Sequence, residues 1–326
     1  MAKVTIEEVA KAAGVSRALV SIAYRGAAGV SKQTAEHIFA VGKKLGYVPN
    51  LNAARLASKQ TGTIGVFLQD LHNEVFADVY DGIRDVVGDS APLVLAVGSA
   101  RPGADKTALE TLIGARTDVI IAVGLTITDR ELKDFSHRSK LISVSRKSPL
   151  VHSVTADDYL GAKLATEHLI AQGHRKIGFL ANPQTDGYRE RLRGYQDAVG
   201  MANLEPLVEQ TTYARTDAER DVVKLIEAGA SAIFAHNDTT ALGAMDTIVS
   251  RGLQPGKDIA VVGFDNTSHS QAPMLALTTV DPHSQELGRA AAEIALAVLA
   301  GTESVLVQRE LEPALIVRSS SSAAFR

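Results

Sequence analysis

Residues 4–21 run Val4-Thr5-Ile6-Glu7-Glu8-Val9-Ala10-Lys11-Ala12-Ala13-Gly14-Val15-Ser16-Arg17-Ala18-Leu19-Val20-Ser21. Thr5 followed by Glu8 has capping-box spacing, so the hydroxyl and the carboxylate satisfy free amides as a helix begins. Ile6, Val9, Ala10 and Ala13 fall on one face of that helix. Gly14 interrupts it where a tight turn needs a residue without a Cβ. Ser16 caps a second helix with Leu19, Val20 and Ala23 inward and Arg17, Ala18 and Ser21 outward. Ser31 begins a third, with Ala35, Ile38, Val41, Gly42 and Leu45 at helical spacing and Gly46 as its stop signal. Three short helices, the second entered through a turn of about three or four residues, describe a helix-turn-helix module. A head of roughly fifty residues is small for an independent core, so it gains order from a partner.

The charge distribution points the same way. The 326 residues carry a net charge of −3, which by itself argues against a polyanion partner. Residues 1–60, however, hold nine basic residues against three acidic ones, and residues 61–326 hold 25 against 34. A +6 head on a −9 body is the asymmetry expected of a nucleic-acid-binding head joined to an ordinary body.

After Pro49, the stretch Asn50-Leu51-Asn52-Ala53-Ala54-Arg55-Leu56 reads as a linker with latent helix. From Thr63 onward short apolar runs alternate with helical patterns. The runs are Ile64–Leu68, Leu93–Val97, Val119–Val123 and Leu141–Val144, then Ile177–Leu180, Val208–Tyr213, Ala232–Ala235 and Ile259–Phe264. Helical stretches lie between them near 75–88, 105–114, 129–138, 189–200, 217–228 and 239–251. Such alternation implies parallel sheets covered on both faces, and two series of similar length imply two doubly wound subdomains. An Ala-rich helix over 283–300 and a strand at Ala314–Val317 complete the pattern.

Composition excludes several classes. There is no Cys, which removes disulfide scaffolds, Cys-ligated metals and thiol chemistry. The longest apolar runs are far shorter than the roughly 18–20 residues of a membrane-spanning helix, and the acidic opening is unlike a signal peptide. A cytoplasmic protein is expected. There is no nucleophile elbow, Walker A loop, dinucleotide fingerprint or His-Glu-x-x-His motif, so neither an enzyme nor a cofactor is expected.

The head stretch resembles the DNA-binding domain of the lactose/galactose-repressor family of bacterial transcription regulators. The resemblance continues through Gly46-Tyr47-Val48-Pro49-Asn50, Ala54-Arg55-Leu56, Gly173-His174-Arg175-Lys176-Ile177, Arg193-Gly194-Tyr195, His236-Asn237-Asp238 and Val262-Gly263-Phe264-Asp265-Asn266. It implies a DNA-binding domain over 1–47, a hinge helix or linker over 48–62 and an effector-binding body over 63–326. Lobe 1 would comprise about 63–160 plus 282–312, and lobe 2 about 161–281 plus 313–326, in a periplasmic-binding-protein-like fold. The implied protein is a homodimeric regulator, a repressor, on near-palindromic double-stranded operator DNA, controlled by a sugar or sugar derivative bound between the lobes. The other reading is a free-standing cytoplasmic sugar-binding or carbohydrate-acting protein.

The second helix of such a head enters the major groove by its amino-terminal part. Arg17 there either contacts guanine through two hydrogen bonds, worth about 1–3 kcal/mol of discrimination, or meets a phosphate. Ala18 and Ser21 share its face. Thr5, Ser16, Ser21, Ser31 and Arg25 are candidates for phosphate anchoring; Ser16 and Ser31 are equally readable as caps. Ile22 stands where the family often has Arg, and Tyr24-Arg25 replaces an apolar-Asn pair, so a different operator preference is expected. By the same resemblance Leu56 wedges into the minor groove at the operator centre, flanked by Asn50, Ala53 and Arg55.

In the body, ligands of open α/β sheets bind beyond the carboxyl ends of the strands. Asp70, Arg146 and Asp265 follow strands, Asn237 and Asp238 close one, and the resemblance adds Phe76 as a stacking aromatic and Arg191 as a cleft residue. Carboxylates, amides and arginine suit the hydroxyls of a polyol. Asp70 and Asp238 are also readable as helix caps, Phe76 as core, and Arg146 and Arg191 as lobe-to-lobe ion pairs.

Overall fold

A computed structural model of the chain describes residues 4–24, 29–47, 61–99, 101, 103–183, 187–212 and 215–321. They fall into two compact units, 1–61 and 62–326.

Among the described residues, the first unit holds three helices, α1 (Ile6–Ala13), α2 (Arg17–Tyr24) and α3 (Lys32–Leu45). The Thr5 amide donates to Glu8 Oε2 at 2.7 Å and the Glu8 amide to Thr5 Oγ1 at 3.3 Å, closing the capping box. Gly14 and Gly46 end α1 and α3 in the left-handed region at φ 67° and 69°. Val9, Ala10, Ala13, Val20, Ala23 and Ile38 form the core. Tyr24 closes it from one side, its ring 5.3 Å from Tyr47 and 5.0 Å from Phe39. Gly42 makes room for it, since a Cβ there would stand 2.0 Å from the Tyr24 hydroxyl oxygen.

The second unit holds two six-stranded sheets. Lobe 1 contains β1 (Ile64–Leu68), α4 (Glu74–Val87), β2 (Leu93–Val97), α5 (Ala104–Gly114), β3 (Val119–Val123), α6 (Asp129–Ser136), β4 (Lys140–Val144) and β5 (His152–Ala156). Lobe 2 follows with α7 (Asp158–Ala171), β6 (Ile177–Ala181), α8 (Tyr188–Met201), β7 (Leu207–Gln210), α9 (Arg215–Glu227), β8 (Ala232–Ala235), α10 (Asp238–Ser250), β9 (Ala260–Phe264), α11 (Ser268–Gln271) and β10 (Thr278–Asp281). The chain then returns to lobe 1 for α12 (Ser284–Ala300) and β11 (Gln308–Leu311), and ends in lobe 2 with β12 (Ala314–Ile316). It therefore crosses between the lobes three times.

The strand orders are β11-β5-β4-β3-β1-β2 and β12-β10-β9-β8-β6-β7, and every pairing is parallel except β10 with β12. Both sheets reverse direction between their first and third strands, β1/β3 and β6/β8, and those switch points open a crevice at the strands' carboxyl ends. The central strands are buried on both faces, as parallel sheets require. Val66, Leu68 and Ile121 pack toward α4 and α12, whereas Phe67, Ile120 and Ala122 pack toward α5 and α6. Each such side chain contributes about 1.5–3 kcal/mol by leaving water.

Several elements differ from the sequence expectation. β7 spans Leu207–Gln210 and does not continue through Thr211 and Thr212, with Tyr213 outside the described residues, and β5, β10, β11, α7 and the short α11 go beyond the sequence expectation. β5 and β10 hide polar residues, Ser153, Thr155, Thr278 and Thr279, inside the sheets, so they lack an apolar run. β11 is an edge strand reading Gln-Arg-Glu-Leu. α7 approaches its neighbours through small residues: a Cβ on Gly161 would stand 2.8 Å from the Phe264 ring.

α4 and α12 pack almost backbone to backbone. A Cβ on Gly82 would lie 2.0 Å from the carbonyl oxygen of Gln285, and one on Gly288 would lie 2.0 Å from that of Val79. Because the obstacle is main chain, Gly288→Ala should force the helices apart and lower unfolding stability by about 1–3 kcal/mol. Urea denaturation of the full chain reads this, and an unchanged midpoint would show that the contact yields freely.

Candidate functional site

In the head, Arg17, Ala18, Ser21 and Ile22 line one concave patch on the outer side of α2. Arg17 is exposed, with Nη1 3.6 Å from Glu7 Oε1. Ser16 Oγ accepts the Leu19 amide at 3.1 Å and Ser31 Oγ accepts the Thr34 amide at 3.1 Å, so both hydroxyls cap helices. The Thr5 hydroxyl donates to Glu8 at 2.9 Å, and those bonds hold Glu8 below the usual carboxylate range. Tyr24, counted above among the departures that would alter operator preference, faces the head's own core. Arg25, Asn50, Ala53, Arg55 and Leu56 lie outside the described residues.

In the body, a cavity of about 80 Å³ lies at the paired switch points. Gln69, Val123 and Gly124 come from the ends of β1 and β3, and His236 and Asn237 from the end of β8. Phe76, Val79 and Leu287 supply an apolar wall, and Asn73, Ser145, Asp158, Arg191, Asp265 and Ser284 supply polar groups. Gly124 is needed twice over: its φ is 73°, and a Cβ would stand 2.7 Å from the Phe76 ring. Through Ser145, Ala156 and Asp158 the cavity adjoins a polar trough of about 710 Å³ lined by Arg146, Lys147, Tyr159, Tyr188 and Arg193 among others.

Arg191 holds the cavity's floor. Its Nε donates to Asp158 Oδ1 at 2.7 Å, its Nη1 donates to the His236 carbonyl at 2.6 Å, and its guanidinium carbon stacks 3.5 Å from the centre of the Phe264 ring. Arg191 and Asp158 are therefore an ion pair within the cleft. Burial pushes the Asp158 carboxyl up against the pull of Arg191. His236 is held well below its ordinary value by burial and by Arg191, so it is neutral.

Asp265 follows β9 with φ 114°, a conformation that non-glycine residues rarely adopt. The turn is braced by Asn266, which donates to Asp281 Oδ2 at 3.0 Å and accepts from Arg318 Nη2 at 2.7 Å. Burial pushes the Asp265 carboxyl up to about 8; Arg191 and an Asn73 hydrogen bond oppose the shift, while the Asp238 and Asp158 carboxylates add to it.

Of the other candidates, Phe76 and Asn237 line the cavity, but Asn237 Oδ1 also caps α10 by accepting the Thr240 amide at 2.9 Å. Two candidates line neither the cavity nor the trough. Asp238 does not line the cavity: its carboxylate is enclosed and accepts from the Thr267 amide (2.8 Å), the Thr267 hydroxyl (2.9 Å) and the Thr279 hydroxyl (2.6 Å), with burial pushing it up to about 6. Asp70 is not among the residues lining the cavity and accepts the His72 amide at 2.9 Å, while Asn73 caps α4. Arg146 lines the outer trough instead, held by the carbonyls of Leu125 and Ile127 and by Asp129 Oδ1 at 2.6 Å.

The sequence reading missed Gln69, Asn73, Ser145, Asp158, His236 and Ser284. Two of them immediately precede residues that were chosen and that do not line this cavity: Gln69 before Asp70, and Ser145 before Arg146. Successive strand residues point to opposite sides, so a strand end misjudged by one residue selects the wrong neighbour.

A helix-turn-helix head with an exposed Arg-Ala-Ser-Ile face, and a two-lobed α/β body closing on a polar cavity, define a ligand-responsive DNA-binding regulator. Two family models match the chain: bacterial regulatory proteins of the lacI family over residues 5–50, and the periplasmic binding protein-like domain over residues 166–321. The chain is 31% identical to the HTH-type transcriptional regulator GalS of Salmonella typhimurium, covering 97% of this chain and 96% of that protein. Among solved structures, it matches the lac repressor dimer bound to operator and an anti-inducer with a TM-score of 0.86 and 28% identity, over 98% of this chain and 99% of that one. It also matches a complex of the transcriptional regulator CelR with cellobiose, with a TM-score of 0.73 and 26% identity over 98% and 100% of the two chains. The chain belongs to the lacI family of bacterial transcriptional regulators.

A carboxyl with a raised folded-state value loses stability as pH rises, because the unfolded chain ionises first, near 4, and the folded one only near 8. The difference in unfolding free energy between wild type and Asp265→Asn should therefore move in favour of the variant between pH 5 and pH 8, by about 1–3 kcal/mol. Titrating groups not coupled to Asp265 cancel in that difference. Urea unfolding at the two pH values checks it, and a constant difference would contradict the buried carboxyl.

Proposed function

We propose that this chain is a cytoplasmic repressor that binds a near-palindromic operator as a homodimer, associates with the nucleoid when bound, and is controlled by a sugar or sugar derivative in the cleft. The observation that carries the reading is the pairing, in one chain, of the exposed α2 face with a cavity at two facing switch points. The cavity combines an apolar wall, suited to the face of a sugar ring, with amide, hydroxyl and carboxyl groups suited to its hydroxyls.

The residues proposed to carry it are as follows. Arg17, Ala18, Ser21 and Ile22 face the bases, and Thr5, Ser16, Arg25 and Ser31 the phosphates. Asn50, Ala53, Arg55 and Leu56 form the hinge contact with the minor groove. Phe76, Asn237, Asp265 and the newly placed Gln69, Asn73 and Ser284 hold the effector, with Arg191 and Asp158 orienting them and Arg146 at the outer trough. Leu71, Leu95 and Val97 are exposed, the last two on the edge strand β2, and an uncovered apolar edge of that kind supports self-association. An effector that weakens operator binding must bind the DNA-free form more tightly, and a co-repressor the reverse.

The test is fluorescence anisotropy with promoter DNA at increasing salt. The logarithm of affinity should fall steeply against the logarithm of salt, with a slope near −0.9 for each phosphate neutralised. Arg17→Ala should weaken specific binding about 10- to 100-fold, in keeping with about 1–3 kcal/mol for a lost base contact, and leave the melting of the body unchanged. A flat salt response, or an Arg17→Ala variant that binds as well as wild type, would return the chain to the free-standing sugar-binding reading.

A further inference from the structure

The lobes are joined by more than the three chain crossings. Glu74 opens α4 in lobe 1, and its carboxylate reaches residues of lobe 2 that lie 194 and 195 positions further along the sequence. Oε2 accepts the Ser268 amide at 2.8 Å, and Oε1 accepts the Ser268 hydroxyl at 2.9 Å. The same Oε1 stands 2.9 Å from Nδ1 of His269. One residue earlier, Asn73 spends Oδ1 on capping α4, accepting the Val75 amide at 3.2 Å, and it lines the cavity together with Asp265. Glu74 of lobe 1 therefore holds one short segment of lobe 2, residues 268–269, three residues beyond Asp265.

Both ends of this contact are stiff. In lobe 2 the segment is tied down by Asp238, which receives the Thr267 amide and hydroxyl, and by Arg318, which donates to Asn266 Oδ1 at 2.7 Å and Ser270 Oγ at 3.2 Å. In lobe 1, α4 is locked to α12 by the glycine contacts at Gly82 and Gly288. A force on Glu74 is thus transmitted to whole lobes, since neither attachment has slack to absorb it.

We infer that Glu74 forms an interlobe clasp that sets how far the lobes close, and that the clasp is coupled to the effector because it grips the segment that follows Asp265. A ligand that takes Asp265 acts on that segment, while Glu74 keeps it, and with it lobe 2, docked on lobe 1. The carboxylate of Glu74 does the holding through all three contacts. This regulatory consequence rests on the effector reading given above.

The absence of cysteine makes the test direct. Lys133→Cys in lobe 1 and Lys257→Cys in lobe 2, both at exposed positions, take spin labels on the full-length chain without competing thiols. Labelled chain is diluted into excess unlabelled chain so that only distances within one chain are read by pulsed electron spin resonance. In the Glu74→Ala background the distribution should broaden and its longer-distance population rise several-fold over the clasped chain. Ser268→Ala, which removes one of the two serine bonds, should give a smaller rise. The double variant should match Glu74→Ala alone, because the lost serine bond already depends on Glu74. Glu74→Gln, which keeps the shape and one acceptor oxygen, should fall between the clasped chain and Glu74→Ala, with melting checked for every variant. Superimposable distributions for the clasped chain and a folded Glu74→Ala or Glu74→Gln would overturn the clasp. So would a Ser268→Ala effect of undiminished size in the Glu74→Ala background. Neither result bears on operator binding, and a failed anisotropy test would not alter these distances.

Discussion

Arg191 sits where four elements of lobe 2 meet, and its guanidinium satisfies a carboxylate of α7, a carbonyl beyond β8 and the ring face of Phe264 on β9. An arginine this enclosed is tolerable only when its charge is balanced and its donors are used, and Asp158 with the His236 carbonyl does both. The pair leaves the cleft close to neutral. Arg191 also moderates Asp265, which burial and the Asp238 and Asp158 carboxylates would otherwise push further from the usual carboxylate range. The cleft is thereby prepared for a ligand rich in hydroxyls without a large fixed charge of either sign.

The polar framework around that arginine shows how a parallel sheet builds a site at its edge. The strands deliver main chain to the crevice, and the residues just beyond them do the chemistry. Non-glycine residues with positive φ gather there, Ser145, Asp265 and His283 among them. Each is held in an unfavourable conformation by its surroundings, as the Asn266–Asp281 and Asn266–Arg318 bonds illustrate for Asp265. Strain of this kind persists only where the neighbouring structure over-determines it.

Most of the architecture was legible from periodicity. The head's caps and glycine stops declared its three helices, and apolar runs such as Ile64–Leu68 and Val119–Val123 declared the sheet centres. Among the elements that escaped, β5 and β10 carry threonine and serine in place of large apolar residues, because a sheet interior accepts a polar side chain whose hydrogen bonds are met within it, and β11 is a polar edge strand. The cavity's lining was legible at Asn237 and Asp265 from strand-end position, and at Phe76 and Arg191 from the family resemblance. It was not legible at Asp158, whose role needs a partner 33 residues away, nor at Glu74, whose contacts lie in the other lobe. Asp238 misled because an acid opening a helix beside a cleft looks like a ligand, whereas its actual partners, Thr267 and Thr279, are tertiary neighbours.

The central claim is that occupancy of the cleft and affinity of the head for DNA are two readings of one equilibrium. Linkage makes this quantitative, since whatever factor a bound effector imposes on operator affinity, bound operator must impose on effector affinity. The direct measurement is titration calorimetry of a cleft-binding sugar, chosen by a thermal-shift screen, into the free chain and into the chain saturated with operator DNA. The account predicts two effector dissociation constants differing by the same factor, about 5- to 150-fold, that the sugar produces in operator affinity. Equal effector dissociation constants with and without DNA would contradict it.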